Sequence, residues 1–184
     1  MRWVTLAQIH LDRAASPWLI KRFVDPEAEF VFVAWGFDGK LPEPGSLELP
    51  PDATPFALPG AKLGLHDADG TCFSKILRAY DLQQPELWAL ERLVAAGVRH
   101  TFGHDQAPDE TPEETTLGAA LNLIGAGFGL AFDDDAHVTA ALALYDGVLA
   151  HCRMRLLPPE VKDAAPFLPP QKIPFLREAI AARF

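Results

Sequence analysis

The chain has 184 residues, 49% hydrophobic and 22% charged, enough to bury a core without disulfide or metal staples, which excludes wholesale disorder. Its 17 prolines and 13 glycines exclude a plain helical bundle or a coiled coil and point to long ordered loops. A formal net charge of −9 repels polyanions, and no basic stretch offsets it, so nucleic acid is excluded as a partner of this chain on its own.

Arg2 to Leu6 is strand-like, with Trp3, Val4 and Thr5 suited to a pleated surface. Ser16-Pro17 carries a helix-start signature, an N-cap residue before proline at the first position, and Trp18, Leu19, Ile20 and Phe23 supply an apolar face. Asp25-Pro26 ends that helix. Glu29 to Trp35 is the clearest strand, rich in β-branched and aromatic residues. Phe37 to Pro59 holds six prolines and reads as a wrapped loop, with Pro55 to Leu58 set to pair briefly with a strand.

Cys72-Phe73-Ser74 opens a helix that ends near Tyr80, and Pro85 starts another whose buried stripe is Leu87, Leu90, Leu93 and Val94. Gly97 is expected to end or break it, leaving His100 to Thr111 as a polar loop. Thr111-Pro112-Glu113-Glu114 repeats the helix-start signature for a body reaching about Gly125. The last strong helix starts in Asp133-Asp134-Asp135 and carries Val138, Ala141, Leu142, Tyr145, Val148, Leu149 and Cys152 at helical spacing. His137 and His151 are expected to be solvated on its outer flank. The expected fold is α+β and helix-majority, a small N-terminal sheet covered by about five helices. One domain spans 1–156, and 157–184 is a proline-rich tail with a short amphipathic segment, Phe175 to Ala182.

No secretory signal is visible, and the uncharged, largely apolar stretch Leu117 to Phe132 is too short to cross a bilayer, so no membrane partner is expected. Cys72 and Cys152 fit neither a disulfide framework nor a thiolate zinc cage, which favours a reduced cytoplasmic setting. Neither G-x-S-x-G, P-loop, G-x-G-x-x-G nor H-E-x-x-H occurs.

His66, between a short apolar run and the acidic turn at Asp67 and Asp69, suits manganese, iron or zinc, or else caps the next helix. The turn is no EF-hand, since its twelfth position is Arg78. Asp12 and Arg13 precede the Ser16 helix start, where an arginine beside a helix N-terminus suits a tetrahedral anion, with Arg22 adding to it. The alternative is an Asp–Arg pair that fixes the chain's entry. Asp134 shares a helical face with Val138, Ala141 and Tyr145, so its inward carboxylate needs a metal, an arginine or backbone donors. Asp146 flanks that stripe. His100 and His104 have the spacing of a two-histidine edge but sit in expected loop. Cys72, at a helix start, is a candidate reactive thiol.

The stretch LDRAASPWLIKRFVDPEAEFVFV resembles the IDR-x-x-CPWLIRRF-x-DP signature of the chromate-resistance domain, the C-terminal domain of ChrB-type proteins. The similarity continues through PFALPG, His66 with TCF, and FDDDAHVTAALALYDGVLAHC, covering about Arg2 to Cys152. Ser16 stands where the family usually has cysteine, Ala57 where aspartate is common, and His100-Thr101-Phe102 where Ala-Asp-Thr is usual. The resemblance implies a domain tied to chromate or oxyanion stress. Asp12, Arg13, Pro17, Trp18, Arg22, Phe23, Glu29, His66, Cys72, Asp134, Tyr145 and Asp146 fit its pattern.

Two expectations follow. In the first, His66 with carboxylates from Asp12, Glu29, Asp134 or Asp146 binds a divalent transition metal in a cleft. Arg13 or Arg22 would hold a small anionic ligand or substrate, with Cys72 and Tyr145 at hand for redox, lyase or hydrolytic chemistry. In the second, a non-catalytic sensor binds an oxyanion at the Ser16 helix start. A homodimer is compatible with either.

Overall fold

A computed structural model describes residues 1–34 and 40–184. Three strands, β1 (Arg2–Leu6), β2 (Glu29–Val33) and β3 (Ala53–Pro55), form a parallel sheet in the order β2-β1-β3. Seven helices follow or intervene: α1 (Asp12–Leu19), α2 (Cys72–Ala79), α3 (Pro85–Phe102), α4 (Pro112–Ala131), α5 (Asp134–Arg155), α6 (Pro159–Asp163) and α7 (Pro169–Ala181). The α+β, helix-majority expectation holds. Glu29–Val33 carries the expected second strand, whose predicted end at Trp35 lies outside the described residues, as do the first residues of the wrapped loop from Phe37. The brief pairing expected at Pro55 falls slightly earlier, with Arg2, Trp3 and Val4 opposite Ala53, Thr54 and Pro55.

Parallel pairing of β1 and β2 demands a crossover, and α1 supplies it. It starts at Asp12, not at Ser16-Pro17. Ser16 is fully buried inside the helix and its hydroxyl donates to the Asp12 carboxylate at 3.4 Å. Pro17 cannot donate to the Arg13 carbonyl four residues back, and the helix widens into a π-turn over Ile20–Val24. Trp18 stacks on Phe73 at 6.2 Å and lies 5.9 Å from Tyr145, tying α1 to α2 and α5 in the main core.

The expected stop at Gly97 is overturned, because α3 runs on to Phe102 and ends at Gly103 in the left-handed conformation. Gly97 is a contact residue: a Cβ there would lie 2.8 Å from the Gly118 carbonyl oxygen. Two bare backbones let α3 and α4 cross closely, which a side chain on either would prevent. The helix start at Thr111 forms as read, and it is completed by a capping box in which the Glu114 carboxylate accepts the Thr111 amide, though α4 continues past Gly125 to Ala131. Among the described residues no helix is long and apolar enough to cross a membrane.

Candidate functional site

Three of the residues picked out from the sequence, Arg13, Asp134 and Tyr145, brace one strained segment. Between β1 and α1, Gln8 and Leu11 hold positive φ of 57° and 43°, costly for side chains with a Cβ. The Asp134 carboxylate accepts the backbone N–H groups of Gln8 at 2.9 Å and Ile9 at 2.8 Å. Arg13 reaches back over the same turn, donating to the carbonyls of Leu6, Ala7 and Gln8 at 3.3–3.4 Å. Tyr145, fully buried, donates its hydroxyl to the Leu11 carbonyl at 3.3 Å. The inward Asp134 therefore found backbone donors.

Asp12 has a comparable task at the start of α2. Its oxygens accept the amides of Cys72 at 2.8 Å and Phe73 at 3.0 Å, two of the orphan donors at that helix N-terminus. Burial raises its pKa, against the pull of those amides. Cys72 is fully buried, its thiol donates to the Leu63 carbonyl at 3.4 Å, and desolvation pushes its pKa far up. A buried protonated thiol is no nucleophile.

Farther out, Asp146 accepts from the Trp18 indole at 2.8 Å and from Arg22 at 2.6 and 3.0 Å, fastening the π-turn to α5. Glu29 opens β2 opposite Arg2, exposed on the sheet. Neither approaches His66. Among the described residues no three His, Cys, Asp or Glu side chains form a ready metal-binding group. The expected site divides accordingly: Asp12 and Arg13 stay close to His66, Arg22, Asp134, Tyr145 and Asp146 serve the scaffold, and Glu29 lies exposed at the start of β2.

His66 lies at the mouth of a cleft of about 610 Å³ between the 66–71 turn, α3 and the loop that leads to α4. Most charges there are already paired. Asp67 takes Lys75 at 2.7 Å. Arg92 holds Asp109 at 2.6 Å and also grips Glu114, and Arg99 donates to Glu110 at 2.7 Å. Three groups stand apart. The His66 imidazole makes no hydrogen bond to a described residue and packs on the Phe102 ring at 4.6 Å. The His104 ring lies 5.9 Å from that of Phe102. Glu91 makes no ion pair to a described residue and accepts only the Thr71 hydroxyl, at 3.2 Å.

Desolvation lowers the His66 pKa, keeping the ring neutral at pH 7, although Asp12 pulls the other way. Desolvation raises that of Glu91, and the nearby Asp12 charge adds to the rise. A neutral imidazole and a carboxylate without an ion pair to a described residue are an incomplete pair of ligands. Glu91 was missed by the sequence reading, yet its signal was present. It lies four residues after Leu87 and three before Val94, a carboxylate set into a buried stripe.

A family model described as "ChrB, C-terminal domain" matches residues 3–152. The chain belongs to the ChrB C-terminal domain family. Protein ChrB of Cupriavidus metallidurans is 32% identical to it over 83 residues, 45% of this chain. That match spans 22% of the curated relative, so most of the relative has no counterpart in the aligned stretch. No solved structure matches the chain. The chromate-resistance resemblance is thereby shown at family level, and in this ChrB-type domain the signature residues map to the braces around Leu11 and α1.

Proposed function

We propose that this ChrB-type domain binds a divalent transition metal, manganese, iron or zinc, at His66 and Glu91. His104 and a small anionic ligand would complete the coordination, and the domain would act in a chromate or oxyanion stress response. The observation that supports this reading is pairing: in a cleft where the other acids hold basic partners, the neutral His66 ring and the Glu91 carboxyl do not. A cation relieves the cost of ionising Glu91 beside Asp12, and deprotonated ligands are what metal binding needs. The carboxylate role expected of Asp12, Glu29, Asp134 or Asp146 passes to Glu91, because Asp12 and Asp134 already accept backbone amides, Asp146 holds an indole and an arginine, and Glu29 is exposed on the sheet and lines neither cavity at His66.

An oxyanion alone is less well served. Four carboxylates, Asp67, Glu91, Asp109 and Glu114, line the cleft against two guanidiniums that are already engaged. The Ser16 helix start required by a simple anion sensor lies buried inside α1. Titration calorimetry of metal-free protein with Mn²⁺, Fe²⁺ and Zn²⁺ separates the two. One equivalent bound, at least tenfold weaker in His66→Ala and Glu91→Gln with Tm of the metal-free proteins unchanged, supports the metal reading. Binding of sulfate or chromate with no metal bound would sink it.

A further inference from the structure

A second cavity, about 400 Å³, opens behind His66 and shares the His66 and Val98 walls with the polar cleft. Its character differs. Leu41, Ala57, Leu65, Val98 and Phe102 dominate its lining, and Thr101 brings a hydroxyl. Leu41 and Phe102, which line this cavity, are 51% and 56% exposed, apolar surface of the kind a bound molecule covers. Two of its wall residues, Leu11 and Ala57, hold positive φ of 43° and 45° while buried. Strained backbone kept in place by Asp134, Arg13 and Tyr145 at a cavity wall is the pattern of a shaped binding site.

Size narrows the ligand. A five-atom oxyanion occupies on the order of three water volumes, about 90 Å³, and would leave most of this chamber empty. Pockets of this size and lining hold organic molecules fixed by a few polar groups. We propose that the anionic ligand is an organic acid with an apolar, ring-sized body: the body fills the chamber under Phe102 and Leu41, and the carboxylate emerges at His66 toward the metal.

This inference rests on the metal reading of the previous section, and the test keeps the two apart. The zinc-loaded protein is titrated with acetate, sulfate and benzoate, and methyl NMR shifts of Leu65 and Val98 report occupancy of the chamber. Benzoate binding at least tenfold tighter than acetate, with shifts at both methyl groups, is expected. The substitution Leu41→Ser, at a half-exposed chamber wall residue with no ring contact to His66 or His104, should weaken benzoate several-fold and leave zinc affinity unchanged. Equal affinities for acetate, sulfate and benzoate, or methyl groups that do not respond, overturn the organic-acid proposal while zinc binding stands. Absence of zinc binding overturns the metal reading, and with it this one.

Discussion

Gly97 and Gly118 meet where α3 crosses α4, so closely that a Cβ on Gly118 would stand 2.5 Å from the Gly97 nitrogen. The crossing joins the helix that carries Glu91 to the one capped by Thr111 and Glu114. Both backbones are fixed by their own helices and cannot yield locally. Gly118→Ala should cost about 1–3 kcal/mol through overpacking, measured as a fall in Tm. The exposed Gly127, whose added Cβ meets nothing within 4 Å, is the control, and Gly127→Ala should be neutral or slightly stabilising.

Asp134 anchors the strained turn through two amides, and charge-assisted bonds of this kind contribute roughly 1.5–3 kcal/mol. Asp134→Ala should destabilise the domain by about that amount and speed hydrogen exchange at Gln8 and Ile9 above all other sites. Asp134→Asn, which keeps one acceptor oxygen, should fall between. Exchange at those two amides equal to that of the parent protein would show that the turn holds itself.

Glu114 accepts from Arg92 and from the Thr111 amide and hydroxyl, and Arg92 leads in lowering its pKa from 4.5 to about 2. The folded value lies below the unfolded one, so this contribution is present above pH 4.5 and is lost as pH falls toward 2. Glu114→Gln should flatten the acid limb of the Tm–pH curve in that window and lower the plateau at pH 7. An acid limb of unchanged slope would remove Glu114 from the account.

His137 was read as a solvated flank residue, but it is 1% exposed, with Nε2 making no hydrogen bond to a described residue and the Phe128 ring edge-on at 5.5 Å. Burial lowers its pKa, Asp134 opposes the shift, and His10 adds to it. The unfolded chain takes the proton more readily, so stability is full above pH 6.5 and declines as pH falls through the depressed folded value. His137→Leu should make Tm less sensitive to pH between 5 and 7. Part of the slope will persist, because His10 and His66 are shifted in the same direction.

The contrast between Asp134 and Glu91 shows how far the sequence can be read. Both are carboxylates set into apolar helical stripes, and spacing alone says that each faces inward and needs a partner. For Asp134 the partners are amides about 125 positions earlier in the chain, a pairing no local pattern encodes. The α+β class, the helix start at Thr111 and the α5 stripe were legible because they depend on near neighbours in the chain. Gly97 was misread because a glycine that ends a helix and one that admits another helix have the same local appearance. The Ser16 start failed for a related reason. Its cap signature is sound chemistry, but the turn at Leu11 begins α1 one turn earlier and buries the serine.

The bracing role of Asp12, Arg13, Trp18, Arg22, Asp134, Tyr145 and Asp146 carries a consequence for how relatives of this chain diverge. Those side chains specify a frame, whereas the groups proposed to hold the metal, His66, Glu91 and His104, come from the 66–71 turn, from α3 and from just beyond its end. Two proteins can therefore share the whole LDRAASPWLIKRF segment and accept different molecules, and exchanging residues 91, 98, 102 and 104 between them should transfer the preference without disturbing the frame.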